Sequence, residues 1–294
     1  MILITGSAGK TGRSVLQALA GRDVPVRALV RRNEQIPLVK HLGAQDVISG
    51  DMRSQQVILE AVQGIEAIYH IPPNISPDEV SIGQNVIRAA QSAGVKHLVF
   101  HSVLKPQIEA MPHHWNKMLV EELLIASQLP YTILQPSAYM QNILANWDQI
   151  LEEGIYPVPY PADTRLSLVD LRDIAEVAAI VLSEAEHKFA IYELVGTPSL
   201  SQTEVADILE QVLERKVRVT SIPIDQWAKQ ARDAGLAEYQ VETLVKMFTY
   251  YEEFGFDGNS NVLSWLLGRA PGSLQDFILR SKEDKQLMNR ISVN

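Results

Sequence analysis

Six short apolar runs, each followed by a stretch of helical periodicity, constrain this chain more than any other feature of its sequence. The runs are Ile2-Leu3-Ile4, residues 24–30, 45–49, 67–71, 97–101 and 131–134. They have the length and the β-branched content of strands. Helices are expected between them, from Ser14 onward and over 34–42, 55–62, 82–93 and 115–127. Strands separated repeatedly by helices imply right-handed βαβ crossovers and a parallel, doubly wound sheet. Runs as continuously apolar as Ile2-Leu3-Ile4 suit strands covered on both faces.

The fold class expected is therefore a Rossmann-like α/β sheet, and ligands of such sheets bind beyond the strand C-termini. The first such end is the turn Thr5-Gly6-Ser7-Ala8-Gly9-Lys10-Thr11-Gly12. Glycines there permit a tight turn, close approach of an anion to the backbone, and packing of the helix on the strand, while the helix N-terminus offers amide donors. The spacing is GxxGxxG, looser than the GxGxxG dehydrogenase fingerprint. Gly9-Lys10-Thr11 imitates the end of a GxxxxGK[ST] loop, but the first glycine of that motif would have to replace Ile4 in the strand. A kinase or ATPase reading is rejected on that ground.

The ends of the next strands name the ligand. NAD-binding sheets commonly place an acid after the second strand to accept the ribose hydroxyls, whereas this chain has Arg31-Arg32. A guanidinium pairs with a ribose phosphate through its planar fork of donors, so NADP(H) is the cofactor expected, with Arg31 as the phosphate ligand. Arg32 is secondary and suits a solvated surface. After the third strand, Asp51 with Met52 is expected to shape the adenine pocket; the alternative for Asp51 is a turn residue or the N-cap of the following helix. Ile71 and Pro72 end the fourth strand and are expected beside the dinucleotide.

Beyond Gly154 the alternation loosens into the proline-rich segment 156–161 and then a helix over 169–182. The expected division is 1–153 for the NAD(P)-binding part and 154–294 for a smaller, mainly helical substrate or lid domain. Residues 166–195 are expected to pack back on the sheet, with a strand at 192–195. Ser201 and Glu204 have capping-box spacing before a further helix.

Composition removes several functions. Lys+Arg 26 against Asp+Glu 35 gives a net charge of -9, and no basic run relieves it, so nucleic acid is not an expected partner. With no cysteine, disulfides, thiolate metal sites and cysteine nucleophiles are absent. His113 and His114 are adjacent on a helix and diverge, so no metal is expected. No GxSxG elbow supports a serine hydrolase. The apolar stretch 177–182 is too short for a bilayer, and a first strand starting at Met1 leaves no room for a secretory signal. A cytoplasmic location without a membrane partner is expected.

Thr5-Gly6-Ser7-Ala8-Gly9-Lys10-Thr11-Gly12, Val30-Arg31, Gly50-Asp51, Lys117, Asp173-Ile174-Ala175, the run 131–136 with Asn142, and the run 261–268 together resemble the NmrA-like branch of the atypical short-chain dehydrogenase/reductase superfamily. The resemblance covers most of the chain. It implies either a reductase of quinones, azo dyes or related acceptors, or an NADP-binding redox sensor acting through a protein partner. It also implies that Lys117 donates to the nicotinamide ribose, with a helical salt bridge to Glu121 as the alternative. Ser102 resembles the superfamily's substrate-side serine; a local turn hydroxyl is the alternative. Tyr139, Met140 and Asn142 fall where the resemblance puts the nicotinamide and substrate pocket. The YxxxK tyrosine is replaced by His113, a candidate proton donor whose alternative role is structural. The leading expectation is an NADP(H)-dependent oxidoreductase that passes hydride to a conjugated small-molecule electron acceptor.

Overall fold

The computed structural model describes residues 1–292, which form two compact units. The first comprises Met1–Pro136 with Ile174–Leu194, and the second comprises Ser137–Asp173 with the described residues from Val195 onward.

The first unit is a seven-stranded parallel sheet. Its strands are β1 (Ile2–Ile4), β2 (Val26–Val30), β3 (Asp46–Ser49), β4 (Ala67–His70), β5 (His97–His101), β6 (Tyr131–Pro136) and a seventh, Ala190–Leu194. Across the sheet the order is Ala190–Leu194, β6, β5, β4, β1, β2, β3. Every neighbouring pair is parallel, with Ile4 opposite Ala28 on one side and Tyr69 on the other. The switch in winding falls between β1 and β4, which puts the glycine turn where such sheets hold ligands. Leu3, Ile68, Leu98, Phe100 and Ile133 are fully buried beneath helices that follow the strands. Each such side chain contributes about 1.5–3 kcal/mol on leaving water.

Helices α1 (Lys10–Ala20), α2 (Ile36–His41), α3 (Gln55–Ala61), α4 (Glu79–Ser92) and α5 (Pro112–Ala126) connect the strands. Several edges differ from expectation for local reasons. β2 starts at Val26 because Pro25 has no N–H to give, and the Pro25 carbonyl accepts from Ile2 instead. The helix expected over 34–42 is split into a 3-10 turn, Asn33–Gln35, and α2. α5 begins three residues before Trp115, since Pro112 is pre-set for a first helical position. β6 runs on to Pro136 because Leu194 of the seventh strand pairs with it there.

The second unit is mainly helical, with Gln202–Leu213, Ile224–Asp233, Glu238–Phe254, Asn261–Leu267 and Leu274–Ser292. A short parallel pair, Ile155–Val158 with Arg218–Ser221, accompanies them. The capping box expected at Ser201 is formed: its hydroxyl accepts from Glu204 N at 3.2 Å, and Glu204 Oε2 accepts from Ser201 N at 2.7 Å. Asp173 acts as a brace, accepting from Arg269 Nη2 at 2.8 Å and Gly272 N at 2.7 Å. The neighbouring Asp170 accepts from Arg280 and from Gln141 Nε2. Among the described residues no helix is long and apolar enough to cross a membrane.

Candidate functional site

The glycine turn is built by contacts that leave no room for side chains. Gly6 has φ +62°, and a Cβ there would lie 3.0 Å from the Ile71 carbonyl oxygen. At Gly12 a Cβ would lie 2.4 Å from Gly6 O and 2.6 Å from Ser7 Cα, so the first turn of α1 sits directly on the loop that precedes it. Gly9 caps α1 with an extended backbone and no side-chain acceptor, while its N–H donates to Gly6 O at 3.0 Å. The start of α1 therefore keeps its amide ends for an outside acceptor, and the helix dipole favours an anion. Thr5 Oγ1 accepts from Ile71 N at 2.9 Å and lies 2.9 Å from His70 Nδ1. Ser7 Oγ donates to Ile4 O at 2.6 Å. The turn is thus clamped to the end of β4, with Ile71 beside Gly6 and Pro72 buried next to it. Ala8 is half-buried, Lys10 is exposed and Thr11 is buried.

Arg31 and Asp51 come together across the ends of β2 and β3, with Arg31 Nε 3.8 Å from Asp51 Oδ2. The Arg31 side chain is 72% exposed, so this pair is worth little and leaves the guanidinium reachable by an anion. Gln35 Oε1 accepts from both Arg31 N and Arg32 N at 3.1 Å and fixes the backbone there. Asp51 is a turn residue: it accepts from Arg53 N at 2.9 Å, and that bond, with the Arg53 and Arg31 charges, holds its carboxyl below the usual value. The N-cap of α3 is Ser54, not Asp51. Met52 packs against the core of the unit.

Lys117 enters from α5 and pairs with Glu79, not with Glu121, the alternative partner that helical spacing offered. Its Nζ lies 2.6 Å from Glu79 Oε1 and 5.7 Å above the Phe100 ring centroid. Glu121, the helical neighbour, instead accepts from the Ser102 hydroxyl and from Gln135 Nε2 at 3.0 Å to both oxygens. Ser102 is buried, its N–H donating to Leu134 O at 2.8 Å. His113 is nearly buried, with Nδ1 enclosed and without a hydrogen-bond partner. Burial, then the neighbouring His114 and Lys117 charges, pushes its pKa down to about 2, so it is a neutral imidazole at pH 7. His70 and His101 are likewise driven down to about 3 and His114 to about 4, chiefly by burial. The Lys117 charge adds to the lowering at each of these four rings, which are uncharged at pH 7.

Tyr139 and Asn142 belong to the second unit. Tyr139 lies in a two-residue strand paired with Leu168–Val169, and Asn142 is exposed on the 3-10 turn Met140–Asn146. Sequence reasoning passed over Glu79, Phe100 and Gln135, whose roles depend on helices and strands meeting rather than on any local spacing. Among the described residues no group of three or more His, Asp or Glu could hold a metal ion.

A family model described as the NmrA-like family matches residues 1–277. An NAD(P)H azoreductase of Xenophilus azovorans is 29% identical over 283 residues, covering 94% of this chain and 96% of the relative. Quinone oxidoreductase 2 of Escherichia coli (strain K12) is 26% identical over 280 residues, covering 95% and 97%. The solved structure of an NADPH-dependent quinone oxidoreductase from E. coli, complexed with NADPH, superimposes with a TM-score of 0.83 at 27% identity, covering 95% of this chain and 98% of that one.

Proposed function

This chain belongs to the NmrA-like family, and from that premise we propose that it is an NADPH-dependent reductase of quinone-like, azo or other conjugated small-molecule acceptors. The observation that carries the reading is the close approach of Gly12 to Gly6 O, where a Cβ would not fit, which seats a helix N-terminus directly on the glycine turn. Such a cradle fits a pyrophosphate. The amides of Gly6, Ala8, Lys10, Thr11 and Gly12 would hold it, while Ser7 and Gly9, whose own N–H groups donate to Leu29 O and Gly6 O, shape the turn around it. Arg31 would take the ribose phosphate, Asp51 and Met52 the adenine, and Ile71 and Pro72 the middle of the dinucleotide. Lys117 would donate to the nicotinamide ribose. When bound, the cofactor supplies a hydride.

The protein's own residues then have two tasks. Lys117 places positive charge beside the reacting centre, where an acceptor gains negative charge, and low-polarity surroundings strengthen that attraction. His113 stands where a dehydrogenase tyrosine would. Being neutral, it offers an N–H of low acidity. Conjugated acceptors spread the incoming charge and need a weaker acid than an isolated carbonyl does, which favours quinones and azo dyes over simple ketones. Ser102, Tyr139 and Asn142 are the residues proposed to recognise the acceptor; their substitution should change KM for the acceptor more than NADPH affinity.

A second reading rests on the same His113: an NADP(H)-binding redox sensor would need no proton donor. Purified protein should consume NADPH with matching formation of reduced quinone or azo product. A sensor would discriminate NADPH from NADP+ and NADH in binding yet turn over no member of that panel. Absence of any NADPH binding by folded protein would remove both readings.

A further inference from the structure

Glu79 has no place in the scheme above, yet it is among the most buried carboxylates of the first unit, 1% exposed. It opens α4, where the helix dipole favours an anion. One oxygen receives Lys117 Nζ at 2.6 Å; the other, Oε2, is enclosed and without a hydrogen-bond partner. Burial raises its pKa and the lysine opposes that rise. The packing of the two helices produces this meeting. One turn beyond Glu79 stands Gly83, and a Cβ there would lie 2.7 Å from Val120 Cγ1, one turn beyond Lys117 on α5. A glycine thus lets α5 come close enough for Lys117 to reach across to the first residue of α4. An ammonium has three N–H donors. With one on Glu79 and Phe100 beneath, the direction of the others is set.

We propose that Glu79 is the positioning residue for Lys117, holding its ammonium ready for the nicotinamide ribose, and that Gly83 sets the helix spacing on which the pair depends. The proposal rests on the NADPH reading of Lys117.

NADPH affinity is measured by fluorescence titration for wild type, Glu79→Gln, Lys117→Met, the double variant and Gly83→Ala, with a melting curve for each. Glu79→Gln keeps the shape of the side chain and removes its charge. It should weaken NADPH binding about tenfold, the scale of one charge-assisted hydrogen bond. In the Lys117→Met background the same change should have no further effect, whereas a purely structural role would lower affinity in both backgrounds. Gly83→Ala, which keeps both charges, should also weaken binding. Wild-type affinity for Glu79→Gln, or an equal loss in both backgrounds, overturns the proposal while leaving the cofactor reading intact. Wild-type affinity for Lys117→Met removes the reading of Lys117 and the proposal with it.

Discussion

At Gly12 a missing Cβ does the work of a functional group, because the space it would fill is occupied by Gly6 O and Ser7 Cα. Gly12→Ala must therefore shift backbone against backbone, an overpacking expected to cost about 1–3 kcal/mol. Urea unfolding should register that loss, and NADPH titration should show weakened binding in the protein that remains folded; unchanged affinity would mean the turn is not the phosphate cradle. Arg31→Ala tests the other end of the cofactor. Its exposed pair with Asp51 stabilises little, so melting should hold while NADPH binding falls about tenfold or more. NADH binding should stay as it was, and an equal loss for both nucleotides would dismiss the phosphate assignment. Both residues are candidates by position alone, a glycine in the first turn and a basic residue at a strand end. Glu79 is not, because what joins it to Lys117 is a tertiary approach through Gly83 and Val120. Glu121, the partner that helical spacing offers as the alternative, has its carboxylate committed to Ser102 and Gln135.

Among elements, the strands were the most legible, most plainly β1, where burial on both faces leaves an unbroken apolar run. Their partners were less so. β6 gained Gln135 and Pro136 only because a strand distant in sequence pairs there, and the helix starts moved three residues earlier, to Glu79 and to Pro112. The helix Gln202–Leu213 shows the opposite case, in which a local signal was enough: Ser201 and Glu204 satisfy each other's backbone amides as their spacing required. Ser201→Ala should cost about 1 kcal/mol, seen as a lower urea midpoint with an unchanged slope. A midpoint equal to wild type would show that the cap adds nothing measurable.

For the molecule as a whole, the buried histidines set the acid limit. His70, His97, His101, His113 and His114 are held at about 3, 4, 3, 2 and 4 by burial before any other cause. In the unfolded chain each would titrate near 6.5. Below that value the unfolded state binds more protons, so the stability these rings contribute is present above about pH 6.5 and declines as pH falls toward their folded values. Glu79 and Glu121, raised by burial, act in the opposite sense: their contribution is present at low pH and lost as pH rises through their folded pKa. With five rings against two carboxylates, the urea midpoint should drop between pH 7 and pH 5, with net proton uptake on unfolding. Acid also relieves the net charge of -9, which alone would favour the folded state. A midpoint that rose over this interval would contradict the neutral-histidine account.

The seventh strand carries a consequence for how the protein is made. Ala190–Leu194 pairs with β6 across residues 137–189, so the sheet of the first unit stays incomplete on the ribosome until a long piece of the second unit's sequence has been synthesised. Until then β6 is the outer edge, and its unpaired N–H and C=O groups form a template for any neighbouring nascent chain. The order of translation, and not only the final packing, makes the late strand the guard of that edge.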